Sequence, residues 1–302
     1  MTEFLQEVEK ANIGKIEENV PLKNYTTYKV GGNARCIIYP KSTKELVKLV
    51  KLIKKYNLKY KILGNGSNLL FSDNDYNNVL IKLNELSNIE IIDNKITVGA
   101  GFSLMRLAAI ATRHSLTGLE FAAGIPGTIG GAIFMNAGAY KSDMGYIVSS
   151  VKVLTPDLKI ITLTNNELNF HYRTSFLQQN SNYICLEAII KLKHGKKSEI
   201  EKVIKDRKAR RISSQPLEYP SAGSVFRNPS SELPSGKIIE DLGLKGLKKG
   251  GAQISTKHAN FIINTGNATA KDIKELIEFV KKSVKEHYDI DLKVEQEFVN
   301  WE

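Results

Sequence analysis

The chain has 302 residues, 42% of them hydrophobic and 25% charged, with a formal net charge of +11 at pH 7. That length holds two domains, or three small ones, with sizeable cores, and the composition is that of a globular protein rather than a fibrous or disordered one. No apolar run approaches a membrane span, the acidic and amphipathic first ten residues are wrong for a signal peptide, and Cys36 and Cys185 lack metal-ligand spacing, so reduced core cysteines and a cytoplasmic location are expected.

The first 20 residues predict an amphipathic helix ending near Asn12-Ile-Gly14. Asn24 to Arg35, with β-branched and aromatic residues before a Gly-Gly turn, opens the first sheet, and Cys36 to Pro40 is a short strand. Ser42 is placed to cap a helix running to about Asn57, with Leu46, Leu49, Val50 and Ile53 on one face. Lys59 to Leu63 is a strand that leads directly into Gly64-Asn65-Gly66-Ser67-Asn68.

That loop fails the dinucleotide fingerprint, because Leu69 stands at the third glycine position and Leu70 to Asp75 is turn-like rather than helical. It reads as a strand–loop–strand phosphate cradle, or as a plain hairpin turn. Val79 to Leu83, Ile89 to Ile92 and Lys95 to Gly99 are strands, and Ser103 caps a helix through about His114.

The segment Leu119 to Tyr140 then carries five glycines (Gly124, Gly127, Gly130, Gly131, Gly138), Pro126, and no charge after Glu120. Neither a helix nor a strand favours that mixture, and a surface loop would be more polar. A buried, irregular, apolar backbone must pair its N–H groups. Either the stretch is a tightly packed core turn, or a ligand lies against its main chain with N–H groups turned to anionic oxygens.

Ser149 to Leu154 and Lys159 to Leu163 make a hairpin around Pro156-Asp157, Thr164 to Leu168 is a short turn, and Tyr183 to Leu192 is a long strand. Lys193 to Lys197 reads as a linker to a second unit. There a charged helix spans Ser198 to Ile212, Gly236 to Leu242 is a short helix, Asn260 to Asn264 a strand, Thr269 caps a helix to about Tyr288, and Leu292 to Val299 closes as a strand. The lysines mostly alternate with glutamates along helices; only Lys205 to Arg211 is a dense basic cluster, and no nucleic-acid-binding motif accompanies it. Solvated helix faces and a pocket for a small anion account for the charge, so nucleic acid is not expected as a partner.

Seven segments in order resemble the UDP-N-acetylenolpyruvoylglucosamine reductase family: Thr27 to Ala34, Leu63 to Leu70, Gly118 to Ala132, Met135 to Tyr140, Tyr172 to Phe176, Ala222 to Pro229 and Ala252 to Phe261. The short stretch between Tyr140 and Arg173, and the Ser221-Ala-Gly-Ser224 form, are similar to the family's second type, which lacks an extra tyrosine-bearing loop. The resemblance implies an α+β protein: an FAD-binding fold of the vanillyl-alcohol-oxidase (PCMH) type over 1–195, in two lobes split near 83, followed by a smaller α+β substrate domain over 196–302. It implies noncovalent FAD, NADPH as hydride donor, and a UDP-sugar substrate whose enolpyruvyl group is reduced for peptidoglycan synthesis. Oligomeric state is not implied.

On that resemblance Gly64, Asn65, Gly66, Ser67, Asn68, Gly124, Ile125, Pro126, Gly127, Thr128, Gly130, Gly131, Asn136, Ala137 and Gly138 hold FAD. Arg173 meets the substrate carboxylate, Ser224 is the proton donor, and Glu295 is the catalytic glutamate, although Val294 and Gln296 flank it where the family commonly has proline and an aliphatic residue. Tyr172, Arg211, Asn228, Lys257 and His258 are the candidate substrate-binding residues; His171 reads as a packed ring, and no cluster has metal-ligand spacing. Two other readings stay open at this stage. An oxidase of small alcohols could share the flavin fold, though no His or Cys anchor for covalent flavin stands out. A colourless nucleotide-sugar or nucleic-acid binder would explain the charge but not the glycine loops.

Overall fold

Three predicted helices begin where a side chain takes up a backbone N–H that the helix cannot pair. In the computed structural model, which describes residues 1–301, Ser42 Oγ accepts from Glu45 N ahead of helix Thr43–Lys55, and Ser103 Oγ accepts from Arg106 N ahead of Leu104–Arg113. Thr269 and Asp272 form a reciprocal capping box ahead of helix Ala270–Tyr288. Leu46, Leu49, Val50 and Ile53 are buried, as their spacing predicts.

By its internal contacts the chain divides into two units. The first is Met1–Glu18, Cys36–Gly64 and Asn78–Lys208; the second is Asn19–Arg35, Asn65–Asn77 and the residues from Ala209 onward. The units are interleaved along the chain.

The first unit carries a five-stranded antiparallel sheet in the order Ile160–Thr164, Val148–Leu154, Ile184–Lys191, Lys95–Gly99, Ile89–Ile92. Tyr60–Ile62 pairs in parallel with Val79–Ile81. One continuous core, from Phe4 and Val8 through Ile96 and Val98 to Leu186 and Ile190, lies beneath these elements. Cys36 and Cys185 are both buried and not joined in a disulfide, and burial pushes the Cys185 thiol up to about 12, so it stays protonated.

Four local expectations are corrected here. The first helix is only Thr2–Lys10; Lys15–Pro21 is a strand, its alternation hidden by two adjacent glutamates. The glycine-rich stretch contains a helix, Ile129–Phe134, capped by Thr128. Thr164 to Leu168 is not a plain turn but one capped helical turn, Asn165–Leu168. In the supposed linker, Lys193–His194 pairs with Leu116–Thr117.

In the second unit Ala252–Ile254 pairs with Ile262–Asn264 beside Lys248–Lys249, and helix Ala270–Tyr288 buries Ile273, Leu276, Ile277, Val280 and Val284. Asp73 caps that helix from far along the chain, accepting from Ala270 N at 2.8 Å and Lys271 N at 2.9 Å. Leu69–Phe71 pairs in parallel with Glu297–Val299. Two stretches expected as strand are mostly irregular: Tyr25 to Gly32 is turn and loop around the buried Tyr28, and Leu292 to Gln296 makes one isolated bridge, Phe226 to Val294.

Candidate active site

Gly64 and the glycine-rich stretch meet in the first unit. A Cβ on Gly64 would lie 3.0 Å from Thr128 Oγ1, so glycine is what lets the two loops approach. Helix Ile129–Phe134 packs tightly on the end of strand Lys95–Gly99: Gly130 N donates to Ala100 O at 2.8 Å, and a Cβ on Gly130 would meet Ala100 Cβ at 3.2 Å. That packing explains why Gly130 stands in a helix against its propensity, while a Cβ on Gly131 would meet only Thr128 Oγ1, at 3.3 Å.

It also redistributes the expected donors. The N–H groups of Ile125, Gly127, Ile129, Gly130 and Gly131 are all taken by protein oxygens. Among the described residues, no hydrogen bond engages the N–H of Gly124 or Thr128, and a Cβ on Gly127 would face open space. Unpaired backbone donors beside open space fit an anionic group such as a pyrophosphate. In the second unit the N–H groups of Gly66 and Ser67 are likewise unengaged among the described residues.

Asn136 is 2% exposed and its side chain serves the protein itself. Its Nδ2 donates to His171 O at 2.8 Å and its Oδ1 accepts from Gly145 N at 2.9 Å. This holds in place the tight turn His171 to Thr174, closed by mutual backbone bonds of 3.0 Å, with Tyr172 and Arg173 at its centre. Arg173 takes φ +56°, donates from Nη2 to Gly138 O at 2.8 Å, and lies 5.3 Å over the Tyr172 ring. Gly138 in turn cannot be larger, since a Cβ would stand 2.5 Å from Asp143 Cβ.

The turn borders an open cavity of about 470 Å³ lined by Asn136, Asp143, Tyr146, Asn169, His171 and Tyr172 among others. Burial raises the Asp143 carboxyl, while the Gly145 N–H, the Asn136 amide and the Arg173 charge pull it back. His171 is exposed rather than packed, its Nε2 3.0 Å from Asn169 Oδ1.

Ser224 and Glu295 both lie in the second unit, on segments that pair directly. Glu295 N donates to Val225 O at 2.8 Å, and Arg227 N donates to Lys293 O at 2.9 Å. Ser224 follows Gly223, whose φ is +74°, and the Ser224 hydroxyl makes no hydrogen bond among the described residues. The turn-serine alternative, a hydroxyl bonded to its own backbone, is therefore not what forms. Asn68 braces the glutamate: its Nδ2 donates to Glu295 O at 3.1 Å and its carbonyl accepts from Glu297 N at 2.9 Å.

Gln296 is a residue that sequence reasoning passed over as a mismatch. It is 4% exposed; its Oε1 accepts from Tyr28 Oη at 3.0 Å, and its Nε2 donates to Ala222 O at 3.2 Å and Gly223 O at 3.4 Å. It thus ties the serine turn to the glutamate segment. Burial pushes the Tyr28 phenol well above its usual range, so it remains a neutral donor. Gln296→Leu should cost about 2–4 kcal/mol by leaving two buried groups unpaired. Adding Tyr28→Phe should recover about 1–2 kcal/mol of that. Urea unfolding of the singles and the double checks this, and strictly additive losses would refute the pairing.

Of the remaining candidates, Asn228 and His258 lie against one short helix. Asn228 Oδ1 accepts from Ser235 N at 3.0 Å at the start of helix Ser235–Asp241, and His258 Cε1 lies against Gly236. The His258 Nδ1 accepts from Asn260 N at 3.2 Å; burial and then the Lys245 charge lower its pKa, favouring the neutral ring. Lys257 Nζ stands 3.6 Å from Glu218. Arg211, on helix Lys197–Ser214, is partly buried. No group of three or more metal-ligating side chains occurs among the described residues.

Comparison with known proteins accords with this geometry. Residues 34–164 match an FAD binding domain, and residues 215–299 match the C-terminal domain of UDP-N-acetylenolpyruvoylglucosamine reductase. The chain is 45% identical over 300 residues to the UDP-N-acetylenolpyruvoylglucosamine reductase of Anoxybacillus flavithermus, covering 99% of each. It is 44% identical over 302 residues to that of Bacillus subtilis, again covering 99% of each. The crystal structure of the Thermus caldophilus reductase superposes with a TM-score of 0.80 at 36% identity, over 94% of this chain and 98% of that one. The fold is therefore the expected α+β one, an FAD-binding fold of the vanillyl-alcohol-oxidase type with a smaller α+β part after it. The chain belongs to the UDP-N-acetylenolpyruvoylglucosamine reductase family and is an FAD-containing oxidoreductase.

Proposed function

We propose that this chain reduces the enolpyruvyl group of UDP-N-acetylenolpyruvoylglucosamine to UDP-N-acetylmuramate, with NADPH as hydride donor and Ser224 as proton donor. The observation that carries the assignment is the Ser224 hydroxyl, unengaged among the described residues and set on a segment paired with that of Glu295. The substrate is an enol ether conjugated to a carboxylate. Bound FAD supplies a hydride from N5 to the terminal carbon. Negative charge then spreads toward the carboxylate, and a proton must reach the carbon bonded to oxygen.

Arg173 provides a fixed charge and planar fork for that carboxylate, with Tyr172 beneath it. Glu295 polarises the same charge-bearing group, and Ser224 delivers the proton. Gly64, Asn65, Gly66 and Ser67 hold FAD together with Gly124, Ile125, Pro126, Gly127, Thr128, Gly130 and Gly131, the N–H groups of Gly66, Ser67, Gly124 and Thr128 being the ones left unengaged among the described residues. Asn68 and Asn136 act by bracing, since their side chains bond protein carbonyls. Ala137 and Gly138 complete the assignment to FAD, and Arg211, Asn228, Lys257 and His258 the assignment to the UDP moiety.

Residues 1–195 serve mainly the cofactor and 196–302 mainly the substrate. NADPH and the sugar nucleotide would bind in turn, a ping-pong scheme. No helix among the described residues is long and apolar enough to cross a membrane; the reaction is assigned to the cytoplasm, and nucleic acid is not a partner.

Anaerobic visible spectra test the whole reading. NADPH should bleach the flavin, and UDP-N-acetylenolpyruvoylglucosamine should restore it; restoration by oxygen alone would favour an oxidase. Arg173→Lys should lower the rate of the second half-reaction about a hundredfold, because a point charge replaces a bidentate fork. Near-normal turnover by this variant would remove Arg173 from the carboxylate.

A further inference from the structure

Lys82 lies where a strand-end lysine would ordinarily reach solvent, yet it is only 8% exposed, between the buried Ile81 and Leu83. Its backbone N–H donates to Ile38 O at 3.0 Å, and its Nζ donates to Gly64 O at 2.7 Å. Burial brings its pKa down to about 8, and Glu17 is the charge that acts against this. Glu17, on strand Lys15–Pro21, already accepts from Lys15 Nζ and from the Tyr39 hydroxyl of the neighbouring strand. A backbone carbonyl needs only a neutral donor, and an apolar side chain would fill this space without the cost of a buried ammonium.

We propose that Lys82 is a positioning residue for the FAD pyrophosphate, fixing the Gly64 carbonyl and placing a buried positive charge under the loop that an anionic diphosphate complements. The inference rests on the reading of the Gly64 loop as a phosphate cradle. In a trans peptide the C=O and N–H point to opposite sides. Holding the Gly64 carbonyl on Lys82 therefore turns the N–H of the same peptide plane the other way. Gly64 also abuts Thr128, whose N–H is unengaged among the described residues, so one contact sets both loops.

Anion binding and protonation of Lys82 are then linked, with a definite sign. The diphosphate raises the Lys82 pKa above its value without ligand, which is about 8. Below that pH the ammonium is present in both states and FAD affinity is flat. Above it, binding must take up a proton, and affinity falls by up to about tenfold per pH unit until the bound-state value is passed.

The test is dilution of the holoenzyme between about pH 6.5 and 9.5, with release followed by free-flavin fluorescence, for the wild type, Lys82→Arg and Lys82→Met. The wild-type dissociation constant should hold steady to about pH 8 and rise about tenfold by pH 9.5. Lys82→Arg, whose guanidinium does not titrate here, should bind FAD with no such rise. Lys82→Met should bind at least about tenfold more weakly and without the slope.

An unchanged slope in Lys82→Arg, a wild-type profile flat throughout, or full affinity in Lys82→Met would overturn the proposal. Gly127→Leu separates this from the cradle reading beneath it, since its side chain enters open space in the protein alone. Full FAD affinity in Gly127→Leu would remove the cradle, and the proposal with it. Lost affinity in Gly127→Leu with unaltered profiles in the Lys82 variants would sink the Lys82 role alone.

Discussion

Ser224→Ala should leave reduction of the flavin by NADPH close to the wild-type rate and slow its reoxidation by UDP-N-acetylenolpyruvoylglucosamine by about a thousandfold, within the range of about 10²–10⁴ that a general acid contributes. The structure makes this a clean substitution. The hydroxyl has no hydrogen-bond partner among the described residues, so its removal leaves no buried group unsatisfied. The turn is set by Gly223 at φ +74° and by the Gln296 bonds to Ala222 and Gly223, none of which involves the serine side chain. Thermal stability should therefore be unchanged, and the loss should appear in one half-reaction only. Stopped-flow absorbance of each half-reaction is the measurement, and an equal loss in both would end the proton-donor assignment.

Gly66→Ala should lower the melting temperature by about 5–15 °C and release flavin, as follows from about 2–5 kcal/mol of strain. Gly66 has φ +62°, in the left-handed region that costs an L-residue about 1–2 kcal/mol. The added Cβ would stand 2.1 Å from Tyr25 O and 2.9 Å from Thr26 Cα, both backbone atoms that no rotamer change can clear. The same loop accepts from Thr27 N through Gly66 O at 3.2 Å, so the shift would spread into residues 25–27. Gly127→Ala is the control: its Cβ enters open space, and its melt should stay within about 2 °C of wild type. Calorimetry of both variants decides the matter, and a Gly66→Ala protein as stable as the control would contradict the account.

Much of the fold was legible because it is local. The caps at Ser42, Ser103 and Thr269, the hairpin Val148–Leu154 with Ile160–Thr164, and the apolar face of Thr43–Lys55 all follow from residues a few positions apart. What was missed depends on distant partners. Gly130 sits in a helix, which propensity opposes, because Ala100 lies against it. Tyr25 to Gly32 looks like strand but folds as turns, with Thr26 Oγ1 bonded to Val30 O and Tyr28 O held by Asn264.

The candidate site divides in the same way. That the glycine loops are built for close approach could be read from composition, and Gly64 against Thr128 shows one such approach. That most N–H groups of the second loop are spent on protein could not, because their partners, such as Ala100 and Phe102, carry no signal in the loop itself. Gln296 looked like a departure from a motif, and its purpose emerges only with Tyr28, 268 positions away. Lys82 left one faint trace, a lysine inside the apolar run Val79 to Leu83.

The parallel pairing of Leu69–Phe71 with Glu297–Val299 also bears on how the chain is made. During synthesis the early segments of the second unit emerge long before their partners, leaving Tyr28, Val30 and Leu70 without the core residues they will join and the strand at 69–71 with an open edge. Contacts of such sequence separation are slow to form. The second unit must therefore wait, with adhesive surface uncovered, until residues 297–299 have been translated, and this is the interval in which a chaperone would have most to protect.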